Sequence, residues 1–220
     1  MLRKQHIPQE QLEIIYGTLL GDASLILQTN NFHRLSLCHC EKQLSYLLYK
    51  SNLLDSIFIA ESPSKYIVQP RWFNDHFISR SLIQYHIHSI SHKDLTSIYG
   101  LFHRNKHKTV TMKCLKLLTP TSILFWYLDD GNFNQGNWSG KISTLSFQLS
   151  EHKAIKKWFW QQYRIETRIG KVKKPYKNQT KIYYEIRINR NNTKKLIELM
   201  SMSKFFKNVP QEMRYKFGPY

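Results

Sequence analysis

Acidic residues are scarce: 15 Asp and Glu stand against 33 Lys and Arg in 220 residues, a formal net charge of +18. Cysteine is scarcer, at three, which argues against a disulfide scaffold and fits a reducing compartment. The longest apolar stretches, Ile14 to Leu20 and Ile123 to Leu128, fall far short of the roughly 20 residues a membrane span needs. Met1 to Leu12 contains Glu10 and no apolar run, so no secretory signal is expected there. Nor does a Gly/Ser-rich linker interrupt the chain. With 41% hydrophobic and 14% aromatic residues, it is too apolar for a disordered basic tail. A folded protein of one large or two small domains follows.

A folded chain this basic needs a polyanion. A phosphate backbone is the commonest, because each Lys or Arg laid on a phosphate releases condensed counterions. An acidic membrane surface would ask for a long amphipathic helix with a basic face, and none is visible. The charge is uneven. Residues 1–110 hold 12 Lys and Arg against 8 acids, and residues 111–220 hold 21 against 7; nine of the ten histidines lie in the first half.

The order of elements runs twice. A helix over Pro8–Gly21, strands over Ser24–Gln28 and His33–His39, a helix over Glu41–Phe58, strands over Lys65–Arg71 and Phe77–His88 and a helix over His92–His103 make the first half. The second opens at the cap Thr119 and Pro120 and runs as a helix to Asp129. It continues with strand over Lys141–Leu149, a helix over Glu151–Ile165 capped by Ser150, strands over Gly170–Tyr176 and Thr180–Asn189, and a helix over Asn191–Met202. This predicts an α+β fold of two pseudo-symmetric αββαββα subdomains, 1–105 and 119–220, joined by 106–118.

Alternation in the paired strands separates a core face from a polar one. Ile182, Tyr184, Ile186 and Ile188 oppose Lys181, Tyr183, Glu185, Arg187 and Asn189; in the first half Ile83, Tyr85 and Ile87 oppose Arg80, Gln84, His86 and His88. A solvated face would explain one such strand. The residue types instead suit base edges and phosphates, which makes the sheets a basic saddle for DNA. Candidate contacts are Arg34, Ser36, Arg71, Arg80, Gln84, His86 and His88, then Lys141, Lys171, Lys173, Lys174, Lys177, Lys181, Tyr183, Arg187 and Asn189.

Each half opens with a helix that runs into a carboxylate, at Gly21-Asp22 and at Asp129-Asp130-Gly131. A negative charge at a helix C-terminus meets the negative end of the macrodipole and costs up to about 1 kcal/mol. Two such ends in an acid-poor chain point to a cation there. Beside a polyanion, a hard divalent metal with oxygen ligands is the candidate. Ordinary C-terminal turn residues would explain either one alone.

Ile15-Tyr16-Gly17-Thr18-Leu19-Leu20-Gly21-Asp22-Ala23 resembles the LAGLIDADG motif, and Ile123-Leu124-Phe125-Trp126-Tyr127-Leu128-Asp129-Asp130-Gly131 resembles its second copy. With Leu118-Thr119-Pro120, Lys108-Thr109, Val209-Pro210, Met213 and Tyr215-Lys216, the likeness covers nearly the whole chain. It is similar to the intron-encoded, single-chain LAGLIDADG homing endonucleases of the yeast mitochondrial type. That resemblance implies motif helices side by side at the subdomain interface, with Asp22 and Asp130 as metal ligands at the cleavage centre. Gly21 and Asp129, one position earlier, fall beside the metal; Asp129 also suits a structural role. Gly17 matches the small residue that lets the helices approach, whereas Phe125 in the second copy makes the packing asymmetric. Leu145 stands where a polar residue is common, with Ser146 and Gln148 near.

Lys108 and Lys216 match the basic residues the family places beside the scissile phosphates. Their spacing supports the pairing: each lies 86 positions beyond Asp22 and Asp130 respectively. Any single lysine in so basic a chain could be a solvated charge. The implied activity is Mg²⁺-dependent hydrolysis of both strands of a long, pseudo-palindromic duplex across the minor groove, leaving 3′ overhangs. Mn²⁺ should substitute, and Ca²⁺ should support binding without cutting. A monomer is expected, inside the cell and in an organelle if the intron is organellar. Two readings stay open: a maturase binding intron RNA, and a DNA-binding regulator that never cuts. Cys38-His39-Cys40 invites a zinc reading, but in a strand His39 points away from both cysteines and no second Cys pair has ligand spacing.

Overall fold

A computed structural model describes residues 5–59, 62–69, 71–73, 76–78, 81–176 and 179–219, with backbone only for 71–73, 76–78 and 176. The first half comprises α1 (Gln9–Leu20), β1 (Ser24–Leu27), β2 (His33–Cys40), α2 (Leu44–Leu53), β3 (Ser64–Val68), the hairpin β4 (Arg71–Phe73) and β5 (His76–Ile78), β6 (Leu82–His88) and α3 (Lys93–Phe102). A small hairpin, β7 (His103–Arg104) and β8 (His107–Lys108), and α4 (Met112–Leu115) connect the halves. The second half comprises α5 (Pro120–Asp130), β9 (Gly131–Asn134), β10 (Ser139–Ile142), α6 (Leu149–Tyr163), β11 (Arg168–Tyr176), β12 (Gln179–Ile188) and α7 (Arg190–Ser201).

The two four-stranded sheets share one topology. Strand order is β1-β2-β6-β3 in the first and β9-β10-β12-β11 in the second, all antiparallel. The expected αββαββα repeat is therefore present, with β4 and β5 inserted in the first copy. Both motif helices lie in one continuous core. From Thr121 to Leu128 every residue of α5 is buried, as befits a helix apolar on all sides. Gly17 sets the approach of α1: a Cβ there would lie 2.1 Å from the Ser122 carbonyl oxygen of α5. At the matching position of the second copy, Phe125 is fully buried and stacks on Tyr49, so the crossing is asymmetric as expected.

Several boundaries move. The segment expected as strand from Lys141 to Leu149 is strand only to Ile142, and it pairs with β9, which the periodicity missed. The signal was hidden in an asparagine-rich turn, where Asn134 and Asn137 side chains accept the backbone N–H groups of Gly136 and Ser139. Helix α6 begins at Leu149, because Gln148 rather than Ser150 is the cap, its backbone N–H donating to Glu151 Oε2 at 2.6 Å. The expected Glu41–Phe58 helix is a short 3-10 turn followed by α2, which ends at Leu53. The strand expected from Phe77 to His88 divides into β5 and β6. Ile182, expected on the core face, is 46% exposed because the β11–β12 hairpin runs on past the core.

Candidate active site

The ends of α1 and α5 meet. Gly21 and Asp129, matching positions of the two motif copies, touch so closely that a Cβ on Gly21 would lie 2.4 Å from that of Asp129. The Asp129 side chain is fully buried and its carboxylate is held from the first half. Thr18 Oγ1 at 2.6 Å and the Asp22 backbone N–H at 3.2 Å donate to Oδ2. Tyr46 OH at 2.8 Å and Lys50 Nζ at 2.9 Å donate to Oδ1. Those four donors engage the roughly four lone-pair sites a carboxylate offers, so Asp129 anchors one half to the other. Burial works to raise its pKa, but Lys50 and the other donors outweigh it and hold the group below the ordinary value.

Two lysines close the helix ends. Lys108 Nζ donates to the carbonyls of Gly21 and Ala23 at 2.8 and 3.1 Å, and Lys216 Nζ to those of Leu128 and Asp129 at 2.6 and 3.0 Å. The cation that each helix end calls for is therefore, in part, an ammonium on the last carbonyls. The Gly21 carbonyl, expected on the metal side, accepts from Lys108. An ammonium has three N–H groups, so each lysine keeps one for a ligand. Burial lowers the pKa of both lysines while the three aspartates oppose it. Lys108 is pinned from the second half, where Glu151 accepts from Thr109 Oγ1 and the Val110 N–H, both at 2.7 Å.

Asp22 and Asp130 carry the unmet demand for positive charge. Burial raises Asp22 to about 6, with Asp129 adding to it. Burial raises Asp130 to about 8, and the charges of Asp22 and Asp129 push the same way. Beside them lies His39 on the core face of β2, its side chain 2% exposed, with Nδ1 3.7 Å from Asp22 Oδ2 and Nε2 4.0 Å from Asp129 Oδ1. Burial depresses His39 to about 4, with Lys50 next in effect, so its imidazole is neutral. Ligand atoms of Asp22, His39 and Asp129 gather within 4.8 Å of one another. Asp130, expected as a ligand, is not in that group, and Asp129 already has Lys50 as its cation. Asp22 and Asp130 are the carboxylates that resist ionisation for want of a counter-charge, which is what a hard divalent ion supplies.

His39 and Lys50 were missed as site residues. The signals were present: strand parity puts His39 on the same face as the buried Leu35 and Leu37, and Lys50 interrupts an apolar helix face with Tyr46 and Leu47.

A family model of LAGLIDADG DNA endonucleases matches residues 12–196. The chain belongs to the LAGLIDADG DNA endonuclease family. It is 27% identical over 184 residues to DNA endonuclease I-ChuI of Chlamydomonas applanata, covering 75% of this chain and 78% of that protein. It is also 27% identical over 163 residues to protein RecA of Mycobacterium gastri, covering 68% of this chain but 35% of that protein. The homing endonuclease I-WcaI, solved bound to its DNA recognition sequence, superposes with a TM-score of 0.77 at 19% identity, covering 97% of this chain and 88% of that one. Its fold is therefore shared.

In this LAGLIDADG chain the saddle residues divide by register. Arg34, Ser36, Gln84, His86 and His88 lie on one face of the first sheet, with His86 Nε2 3.3 Å from Cys38 Sγ. On the second sheet, Lys141, Arg187 and Arg168 stand abreast, and Lys174 pairs with Lys181 beside Tyr183. Lys171 and Lys173 fall on the opposite face, paired with Tyr184 and Ile182. Asn189 Oδ1 caps α7 by accepting the Asn192 N–H at 3.0 Å. Arg80 and Lys177 lie outside the described residues, as does the side chain of Arg71. Among the described residues no helix is long and apolar enough to cross a membrane.

Proposed function

We propose that this LAGLIDADG protein is a homing endonuclease of the intron-encoded, single-chain type, in the line of the yeast mitochondrial members. It hydrolyses both strands of a long duplex target across the minor groove and leaves 3′ overhangs. The observation that carries the reading is the junction of α1 and α5, where Asp22 and Asp130, each behind a lysine-closed helix end, are both pushed toward the neutral acid by burial and by neighbouring aspartates in an otherwise basic molecule. Both motif helices come from one chain, so a monomer suffices. We place the activity inside the cell, in an organelle where the intron is organellar. The homing endonuclease with this fold is described as bound to its DNA recognition sequence, and duplex DNA is the partner inferred here.

Asp22 and Asp130 would hold Mg²⁺, or Mn²⁺ in its place, and such an ion when bound supplies Lewis acidity at phosphate oxygens and lowers the pKa of water. The protein's own part is orientation and charge. Asp129, locked by Lys50, Tyr46 and Thr18, fixes the spacing of the two helix ends and hence of Asp22 and Asp130. Lys108 and Lys216 each present their remaining N–H to the charge that develops on the scissile phosphate. Their other two N–H groups, on backbone carbonyls, hold the ammonium in position before DNA arrives. Cleavage of a randomised duplex library in Mg²⁺, with sequencing of the products, tests the proposal. Defined cut sites that vanish in EDTA are expected, and uncut DNA in every divalent metal would refute it.

Lys108→Ala and Lys216→Ala should each slow cleavage by on the order of 10²-fold while weakening binding far less, as expected of groups that stabilise transition-state charge. Single-turnover rates and affinities measured in Ca²⁺ separate the two effects. Equal losses in rate and binding would reduce both lysines to phosphate clamps.

Sequence-independent attraction should reside mainly in the second half. Lys174→Gln and Lys181→Gln should each flatten the slope of log affinity against log salt by nearly one unit, since that slope is about −0.9 per neutralised phosphate. Arg34→Gln, in the sparsely charged first half, is the comparison. A double mutant with an unchanged slope would show that this charge faces solvent only.

A further inference from the structure

The polar face of the second sheet holds a construction the cleavage chemistry does not use. Glu185 is the one acid among the described strand residues of that sheet, and it is 5% exposed. Arg187 Nε donates to its Oε1 at 2.8 Å, and Lys141 Nζ stands 3.7 Å from its Oε2. The side chain of Arg187 is nonetheless 54% exposed. Directly opposite Glu185 in the register is Gly170. A Cβ there would lie 2.2 Å from Arg187 Nε and 2.7 Å from Cζ, so the guanidinium lies across bare backbone. Lys141, Glu185 and Arg187 line a cleft of about 590 Å³ in the polar face.

Such an arrangement fixes a guanidinium before any ligand arrives. Nε is committed to Glu185, while among the described residues Nη2 has only the Lys171 carbonyl at 3.5 Å, the limit of a hydrogen bond. The Nη pair is left as a planar fork. A fork of this kind matches either a phosphate or the O6 and N7 acceptors of guanine. The buried carboxylate weighs toward the base, because it offsets the charge of Arg187 that a phosphate would need, whereas an uncharged base edge needs only the orientation of the fork. A phosphate clamp would also gain nothing from lying flat on the sheet floor.

We propose that Arg187, oriented by Glu185 and by the missing side chain at Gly170, reads one guanine in the major groove of the target. This rests on the DNA-endonuclease reading and adds a specificity-determining residue to it. The decisive variant is Gly170→Ala. It keeps every charge, the three atoms nearest its Cβ all belong to the movable side chain of Arg187, and it tips the guanidinium off Glu185. Arg187→Lys keeps the charge without the fork, and Glu185→Gln keeps the shape without the counter-charge.

The wild-type chain and the three variants would be profiled on a randomised duplex library, by binding in Ca²⁺ and by cleavage in Mg²⁺. Wild type should show one position in the half-site under the second sheet where guanine dominates. Each variant should reduce that preference by about 5- to 150-fold, the equivalent of one good bidentate base contact. Gly170→Ala should leave the salt slope unchanged. An identical guanine preference in all three variants overturns the inference. So does a loss of affinity uniform across sequences, which would mark Arg187 as a phosphate clamp. A wild type that selects and cuts while the variants keep its profile refutes this inference alone; a wild type that selects no sequence refutes the parent reading with it.

Discussion

Asp22→Asn and Asp130→Asn should each reduce DNA cleavage in Mg²⁺ by about 10³-fold or more, because each removes a carboxylate whose charge the fold leaves uncompensated at the helix junction and with it several kcal/mol of metal-assisted stabilisation. Folding should survive. Burial and neighbouring charge raise Asp130 to about 8, so at neutral pH its favoured form without a metal is the neutral acid, which asparagine imitates. Binding to target DNA in Ca²⁺ should therefore change little for Asp130→Asn.

The same shift gives a second readout with a definite sign. A carboxyl whose folded pKa lies above its unfolded value stabilises the fold most below the unfolded value, and that contribution is lost as pH rises through the folded one. In EDTA the wild type should thus lose stability between about pH 4 and 8 relative to Asp130→Asn. Added Mg²⁺ should recover it near pH 8 in the wild type and not in the variant. Thermal melts of both proteins across that range measure the difference. Cleavage at the wild-type rate by either variant would remove that residue from the chemistry.

The placement of the two acids at the helix ends was legible in the sequence because a motif at a helix end is local: Gly17 through Asp22 and Leu128 through Gly131 state their own geometry. The repeat was legible for the same reason, since helix and strand periods survive divergence of the residues. What remained hidden is set by register and by contacts across the chain. Alternation alone puts Lys171 and Lys174 on opposite faces of a strand, and only the pairing with Tyr184 and Lys181 shows which of the two shares the face of Arg187. The β9 strand was invisible because two of its four residues are asparagines, which read as turn. Lys50 counted as one cation among 33, and its burial follows from a carboxylate 79 positions away. Asp129 looked like a companion of Asp130, yet a helix turns about 100° per residue. One step along α5 therefore separates a carboxylate sealed against Lys50 from one that burial favours as the neutral acid for want of a cation.

That sealed contact yields the largest effect expected on stability. Lys50→Met should destabilise the protein by about 3–5 kcal/mol, because it leaves the Asp129 charge buried without its cation. Lys50 and the Asp129 side chain are both fully buried, so water cannot take the place of the lost partner, and the figure is large against a typical total of about 5–15 kcal/mol. Tyr46 and Thr18 would still donate to the carboxylate, which keeps the loss from being larger. Removing both charges, as Lys50→Met with Asp129→Leu, should cost less than the sum of the single changes, since apolar replacement of a whole buried pair is often close to neutral. The single variant should also lose part of the wild type's dependence on acid. A carboxylate held below its ordinary pKa stabilises the fold above that ordinary value and ceases to do so as pH falls through the depressed one, and Lys50 is the largest cause of the depression of Asp129. Urea denaturation at neutral and acidic pH measures all three quantities. A Lys50→Met protein within about 1 kcal/mol of wild type, which is the range of an exposed ion pair, would mean that this contact does not hold the two halves together.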